Sequence, residues 1–548
     1  MRGNDFMSAS SKKKLRSENA SAKMTERQIA EQKEAKKLKI YTIAFVAVLI
    51  VMIAVAVYTG IANYIASSGI HEKNTIAATV GDHEISNAEL SYYYMDALNN
   101  FNSTYGDYAY LYGIDTSTAL DQQVIDEETG ETWADSFIEQ AVSSAQAVYA
   151  LVDAAKAEGF TLPEEQQQQL ELTAGNLDAY ASIYGYENAD AFIKAQYGSG
   201  TSKQSYLDYY ERNLIASAYQ TAHQDALTYT DDQIRDADSA NAAIYSSYSY
   251  NQYYVAPSKF LTGGTTDEDG NTTYSDAENA AALQAAEEAA NALVNEEITS
   301  VEELDAAIAA MPVNEGTDAS STAYNDQRYS SINTYLTEWV TDSSRQEGDK
   351  AVIPVSTTST DEDGNETETV TAYYVVFFRG ENKNETKLVN VRHILVSFDG
   401  ETNEDGTYTD EAKAAAKESA ESILDEWKNG DATEDSFAAL ANERSTDTGS
   451  NANGGLYEDI YPGQMVTEFN DWCFDASRTA GDTGIVETTY GYHVMYFSGT
   501  ADQTYRDYLI TNDLVSADME TWYNALLESY TVVNGDTSYM KKDIVLAK

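Results

Sequence analysis

The sequence predicts an α+β protein: a mainly helical domain and two strand–helix–strand modules, behind one apolar N-terminal segment. Three observations predict it. Apolar residues recur every three to four positions from Trp133 through Phe137, Ala141, Ala145 and Tyr149 to Val152, the stripe of an amphipathic helix. Short runs rich in β-branched and aromatic residues, readable as strands, frame residues 390–499. A second stretch, 249–380, repeats segments of that one in the same order.

Length and charge bound what such a chain can do. At 548 residues it exceeds one hydrophobic core, so several domains are expected. With 34 Lys+Arg against 90 Asp+Glu, the net charge of −56 repels nucleic acid, whose binding needs a basic footprint. Cys473 is the single cysteine; it permits no intrachain disulfide and excludes a Cys-rich metal site.

The charge is uneven along the chain. Residues 1–39 hold eleven Lys/Arg and five Asp/Glu, and nineteen residues follow, Ile40 to Tyr58, with Thr42 the clearly polar one. That run spans a hydrocarbon core of roughly 30 Å at about 1.5 Å per residue. It exceeds the apolar region of a cleaved signal peptide, about 7–15 residues. An uncleaved anchor over 40–60 is expected, with the basic segment 1–39 cytoplasmic and the rest outside the cell.

Residues 69–248 read as a helical domain that opens with a small strand. Thr75 to Ser86 give strand, turn and strand, and Ser86 with Glu89 forms a candidate capping box. Beyond Trp133–Val152, a helix over Lys203 to Thr228 would present Leu207, Tyr210, Leu214 and Ala218 on one face. At the far end, 500–548 carries a helical portion and the strand-like Asp543-Ile544-Val545-Leu546. That end is expected to pack on the helical domain by pairing with the 76–80 strand.

The repeat relates 249–382 to 388–499. Glu338-Trp339-Val340 through Asp349 parallels Asp471-Trp472-Cys473 through Asp482, and Tyr373–Gly380 parallels Tyr492–Gly499. So aligned, His393 corresponds to Tyr254 and His493 to Tyr374, while Met465 and Phe469 correspond to Ile332 and Leu336. Cys473 corresponds to Val340, which points to a buried apolar role. Three acidic turns (Asp267–Asn271, Asp361–Asn365, Asn403–Gly406) place glycine too early for an EF-hand loop, so they read as turns.

The second module carries the chemistry. In order it holds Arg392-His393-Ile394-Leu395-Val396, Phe437 with Leu440-Ala441, Ser445-Thr446-Asp447, Gly454-Gly455-Leu456, Gly463-Gln464-Met465-Val466 with Phe469, Phe474, and Tyr490-Gly491-Tyr492-His493. Together these resemble a parvulin-type (PpiC, rotamase) peptidyl-prolyl cis-trans isomerase. The layout as a whole is similar to the PrsA- and SurA-type foldases of cell envelopes, in which helical chaperone segments from both chain ends accompany one or two parvulin modules.

The resemblance implies a small antiparallel sheet with surrounding helices, and an enzyme that needs neither metal nor cofactor. It implies that Leu456, Met465 and Phe469, with Tyr490, bind the substrate around the proline ring. His393, Asp447, His493 and Thr488 would form the polar floor, the histidines as a hydrogen-bonded pair. Phe437, Leu440 and Phe474 are read as core. Expected partners are unfolded exported polypeptides with X-Pro bonds, and the setting is the cell membrane, as in a Gram-positive bacterium. The competing reading is a non-catalytic holdase with a vestigial site.

Overall fold

The computed structural model describes residues 69–546 apart from 268–269, 361–363, 365 and 404. The expected anchor at 40–60 lies outside the described residues, and among those described no helix is long and apolar enough to cross a membrane. The described residues divide into two units: 69–228 with 513–546, and 229–512.

In chain order, the first unit supplies β1 (Ile76–Val80), β2 (His83–Ser86), α1 (Asn87–Tyr105), α2 (Trp133–Ala157) and α3 (Lys203–Ala226). The other unit begins its sheets with β3 (Ser247–Val255), α4 (Asp276–Ala292), α5 (Val301–Ala309), β4 (Thr322–Arg328), α6 (Thr337–Val340), β5 (Lys350–Thr360) and β6 (Glu366–Asn382). It continues with β7 (Lys387–Ser397), α7 (Asp410–Asn429), α8 (Glu434–Arg444), β8 (Leu456–Ile460), α9 (Thr467–Cys473), β9 (Thr483–Thr488) and β10 (Gly491–Thr504). Then come α10 (Tyr505–Glu528) and β11 (Val532–Asn534).

The first unit is a helical bundle closed by a small sheet. Phe137, Ala141, Ala145 and Tyr149 of α2 are buried as their spacing predicts. Ser86 caps α1 through the Glu89 backbone N–H, but Glu89 does not complete a capping box. Its carboxylate instead accepts the Tyr149 hydroxyl at 2.5 Å and pairs with Arg212 at 2.6 Å; a half-buried carboxylate gains more from a guanidinium than from one cap N–H.

The predicted face of α3 is also corrected. Tyr206, Tyr209, Ala216 and Tyr219 are its buried residues, while Leu207, Tyr210, Leu214 and Ala218 are only half-buried. Tyrosine decides this face, because Tyr209 stacks on Tyr92 at 5.0 Å and meets Tyr93 edge-on at 4.8 Å, and such rings bury large areas with favourable pair geometry.

The C-terminus does return to β1, by a different strand from the one expected. The sheet order is β11-β1-β2, with Ala78 opposite Asn534 and Val80 opposite Val532. Asp543–Leu546 is not a strand; it is packing material, with Leu546 buried and the Ile544 carbonyl accepting the Leu120 N–H at 2.9 Å. The β-branched Thr531-Val532-Val533 run suits the ladder better. Gly535 lets the chain leave closely, since a Cβ there would sit 2.3 Å from the Ile76 carbonyl oxygen.

The repeat is visible as topology. Residues 229–512 contain two four-stranded antiparallel sheets, ordered β4-β3-β6-β5 and β8-β7-β10-β9. Arg345 lies over Trp339 at 4.8 Å and Arg478 over Trp472 at 3.9 Å. Phe378 N–H donates to the Asp349 carbonyl and Phe497 N–H to that of Asp482, each at 2.8 Å. Both long strands slip register at the same place, beside Gly380 and beside Gly499.

That register corrects one equivalence. Tyr250 pairs with Phe378 and Gln252 with Val376, whereas Val391 pairs with Phe497 and His393 with Met495. With Phe378 matched to Phe497, His393 is matched by Gln252, not Tyr254. Tyr374 keeps its match to His493. The sequence alignment slipped by two residues on β3, which preserves the face and so left the period-2 pattern undisturbed.

Truncating the chain after Ser529 removes β11 together with the buried Met540 and Leu546. Each fully buried side chain of this kind contributes about 1.5–3 kcal/mol. The truncated chain is expected to lose at least about 3 kcal/mol in urea unfolding followed by circular dichroism; a wild-type midpoint would contradict the closure.

Candidate active site

Strand alternation sorts β7 into two faces. Ile394 joins Tyr492 and Val494 in a core with Ile423, Leu424 and Trp427 of α7 and Phe437 and Ala441 of α8. Val391 joins Met495 and Phe497 in a second core with Phe469 and Cys473 of α9. His393 shares the face of Val391, two residues away. On the neighbouring strand His493 lies opposite Leu395, on that same face. The two histidines are therefore diagonal neighbours across one strand pair, within reach of long side chains.

They meet. Nδ1 of His393 is 2.9 Å from Nδ1 of His493, and the rings stack at 5.1 Å. Both are buried, at 3% and 5% exposure. Nε2 of His393 is 2.8 Å from Asp447 Oδ2, and Nε2 of His493 is 2.9 Å from Thr488 Oγ1. Four of the predicted polar residues thus form one chain.

Its polarity follows from which atoms can donate. An ionised Asp447 only accepts, so His393 Nε2–H donates to it. In a neutral His393 the Nδ1 is then a lone pair, which His493 Nδ1–H fills. His493 Nε2 accepts the Thr488 hydroxyl, whose oxygen accepts the Tyr490 N–H at 3.1 Å.

The electrostatics agree with neutral imidazole at His493. Burial pushes its pKa down to about 3, and the neighbouring His393 adds to the effect. Burial alone would raise the Asp447 carboxyl, but the hydrogen bonds from His393, the Ser450 hydroxyl and the Gly449 N–H hold it well below the usual carboxylate range.

Loop geometry delivers Asp447. The loop from Ser445 to Gly455 follows α8, and the His393 N–H donates to the Gly455 carbonyl at 2.8 Å. Gly455 has φ of +69°, and a Cβ there would sit 2.1 Å from the His393 carbonyl oxygen, so only glycine permits this approach.

Above the imidazoles, the Phe469 ring meets His393 at 5.5 Å and His493 at 5.3 Å, both edge-on. Half-buried Met465 packs on the same core. Tyr490 is 41% exposed and reaches the floor through its backbone. Phe437 is fully buried in the core under the other face, and Leu440 and Phe474 pack on the two cores.

Leu456 is not brought into this group. It pairs with Arg392, on the opposite face of the sheet from His393. Tyr457 pairs with Val391 and takes the place on the histidine face. Its ring lies 5.2 Å from His393 and its hydroxyl donates to Asp447 Oδ2 at 3.0 Å. Ser450 was missed as well; its hydroxyl donates to the same oxygen at 2.5 Å. The Asp-x-x-Ser spacing was a signal for Ser450, whereas Tyr457 needed the strand register.

Comparison with known proteins joins this geometry to a family. Residues 375–500 match the family described as the PPIC-type PPIASE domain, and residues 11–169 match the SurA-like N-terminal domain. The chain thus carries a PpiC-type domain and a SurA-like N-terminal domain, and is similar to PrsA-type foldases. Foldase protein PrsA 1 of Listeria innocua is 36% identical over 107 residues, which are 20% of this chain and 29% of that protein. Foldase protein PrsA 3 of Bacillus cereus is 40% identical over 81 residues, 14% of this chain and 26% of the relative. The chain therefore matches less than a third of the length of these curated relatives. A crystal structure of peptidylprolyl isomerase PrsA from Bacillus anthracis is 24% identical, covers 27% of this chain and 59% of its own, and has a TM-score of 0.18.

A pH dependence follows for the parvulin domain. His493 binds a proton near pH 6.5 when unfolded but only near pH 3 when folded. The unfolded state then holds more protons between those values, so stability rises with pH across that window. The contribution is complete above pH 6.5 and shrinks as pH falls, by about 2 kcal/mol at pH 5. Urea unfolding of the wild type and of His493→Gln at pH 7 and pH 5 checks it; an equal pH slope in the two would contradict it.

Proposed function

We propose that the chain is a membrane-anchored, extracytoplasmic peptidyl-prolyl cis-trans isomerase and foldase for exported proteins. The observation that carries this reading is the buried, hydrogen-bonded His393–His493 pair, anchored by Asp447 and Thr488 beneath Phe469 and Met465. Rotation about an X-Pro bond breaks no covalent bond. The barrier of about 18–20 kcal/mol comes from amide resonance, and unaided exchange takes tens to hundreds of seconds.

What accelerates it is a site that prefers the twisted amide. The twisted form has lost charge separation, so a dry surface of Phe469 and Met465 favours it over the planar form. The imidazoles in this site work as fixed dipoles. With His493 held neutral, its single N–H committed to His393 and its Nε2 lone pair filled by Thr488, the floor needs no reorganisation as the amide turns. Anchoring rests on the apolar run within 40–60 and its basic flank, which place the remainder outside the membrane. The Listeria and Bacillus relatives suit a Gram-positive source.

A second reading, a holdase with a vestigial site, draws on exposed apolar residues of the SurA-like unit: Tyr108, Tyr110 and Leu111 are 57%, 67% and 59% exposed. One set of measurements separates the two. Full-length wild type is expected to accelerate cis-trans exchange of an X-Pro peptide, and His393→Ala to lower kcat/KM about tenfold or more, roughly 1.4 kcal/mol. Equal rates for wild type and buffer would reject the isomerase, while suppression of aggregation that survives His393→Ala would assign holding to other residues. Recovery of the protein in the membrane fraction, lost on deleting 40–60, tests the anchor.

A further inference from the structure

Asp447 is unusually well supplied with donors. Oδ2 faces His393 Nε2 at 2.8 Å, Ser450 Oγ at 2.5 Å and the Tyr457 hydroxyl at 3.0 Å, and Oδ1 accepts the Gly449 N–H at 3.1 Å. A carboxylate oxygen has two lone pairs. Three donors on Oδ2 stabilise the ionised carboxylate and make it a poor base toward the His393 proton, so the chain through His493 to Thr488 keeps one polarity.

Among these donors Tyr457 has a second feature. Its ring packs on the core that includes Phe469 and lies against His393, so the hydroxyl and the pocket wall belong to one side chain. Ser450, by contrast, is buried at 2% exposure.

The repeat supplies an internal comparison. Tyr324 lies opposite Tyr250 as Tyr457 lies opposite Val391. Its hydroxyl takes the Gln252 Nε2–H at 3.0 Å, and Gln252 occupies the position of His393. A phenol therefore engages the floor of both sheets. Toward a carboxylate it donates; toward an amide nitrogen it accepts. Tyr250, where the active copy has Val391, stacks on Tyr324 at 5.1 Å, and Ile332 and Leu336 are buried at 5% and 0% exposure. The same scaffold thus carries a different floor.

We propose that Tyr457 is a positioning residue of the proline pocket: its hydroxyl holds Asp447 as the accepting end of the His393–His493–Thr488 chain, and its ring supplies the wall expected of Leu456. This rests on the isomerase reading for its kinetic consequence and on the geometry alone for its effect on the imidazoles. Removing the hydroxyl leaves His393 as a stronger donor to a less satisfied carboxylate, so the proton positions along the pair change while the packing stays.

The test uses the full chain as Tyr457→Phe and Tyr457→Leu. Tyr457→Phe is expected to melt as the wild type does, to move the imidazole N–H resonances in ¹⁵N-correlated NMR, and to lower kcat about 3- to 10-fold with KM unchanged, the range for one ordinary intramolecular hydrogen bond. Tyr457→Leu, which also removes the wall, is expected to raise KM. Wild-type imidazole resonances and kcat in Tyr457→Phe would overturn the proposal. So would a fall in activity that tracks a lowered melting temperature with unmoved resonances, since that marks a packing role. If the wild type itself shows no isomerase activity, the functional reading fails, and the resonances still decide Tyr457: moved, they support its positioning role; unmoved, they overturn it.

Discussion

The contact on which the site depends is a single hydrogen bond between two imidazoles across adjacent strands. It requires β7 and β10 to pair so that His393 and His493 fall diagonally on one face. A one-residue slip would send one ring to the face covered by α7 and α8. The register is secured by packing on both faces, Ile394, Tyr492 and Val494 under α7 and α8 and Val391, Met495 and Phe497 under α9. The bulge beside Gly499 lies in the same pairing. The chemistry is thus a consequence of two hydrophobic cores that contain neither histidine.

The repeat shows how much of the scaffold is independent of that chemistry. Sheet order, the Arg–Trp stack, the paired Phe–Asp backbone bonds and the bulge are the same in both copies. What differs is the floor: Gln252 and Tyr374 in one, His393 and His493 in the other. The first copy fills its interior with Tyr250 and keeps a neutral amide, while the second holds an ionised Asp447 that orders two stacked imidazoles. Burying a carboxylate is tolerable here because each oxygen meets a donor, whereas His493 at the far end stays uncharged because burial penalises its charged form.

Much of this was legible in the residues. The helix over Trp133–Ala157 followed from its 3.6-residue stripe, and the strand–helix–strand repeat from ordered identities such as Trp339 with Trp472. The polar set His393, Asp447, His493 and Thr488 was recognisable through the resemblance carried by ordered segments across residues 392–493, in a chain with five histidines. Errors fell where local pattern carries no decision. The face of α3 went to tyrosines that a simple apolar stripe undervalues. The returning strand was Val532–Asn534, since two β-branched runs compete and only partners choose between them.

The sequence by itself determined the element types, the repeat and the acidic, cysteine-poor character, because these follow from periodicity and composition. The tertiary structure decided which residue stands against which. Leu456 and Tyr457 are neighbours in sequence, and their side chains point to opposite faces; the pairing of β8 with β7 assigned Tyr457, not Leu456, to the pocket. Likewise Gln252 replaced Tyr254 as the counterpart of His393 once hydrogen-bond register was available. Strand alternation is a local property, but its phase relative to a partner is set by packing across the sheet.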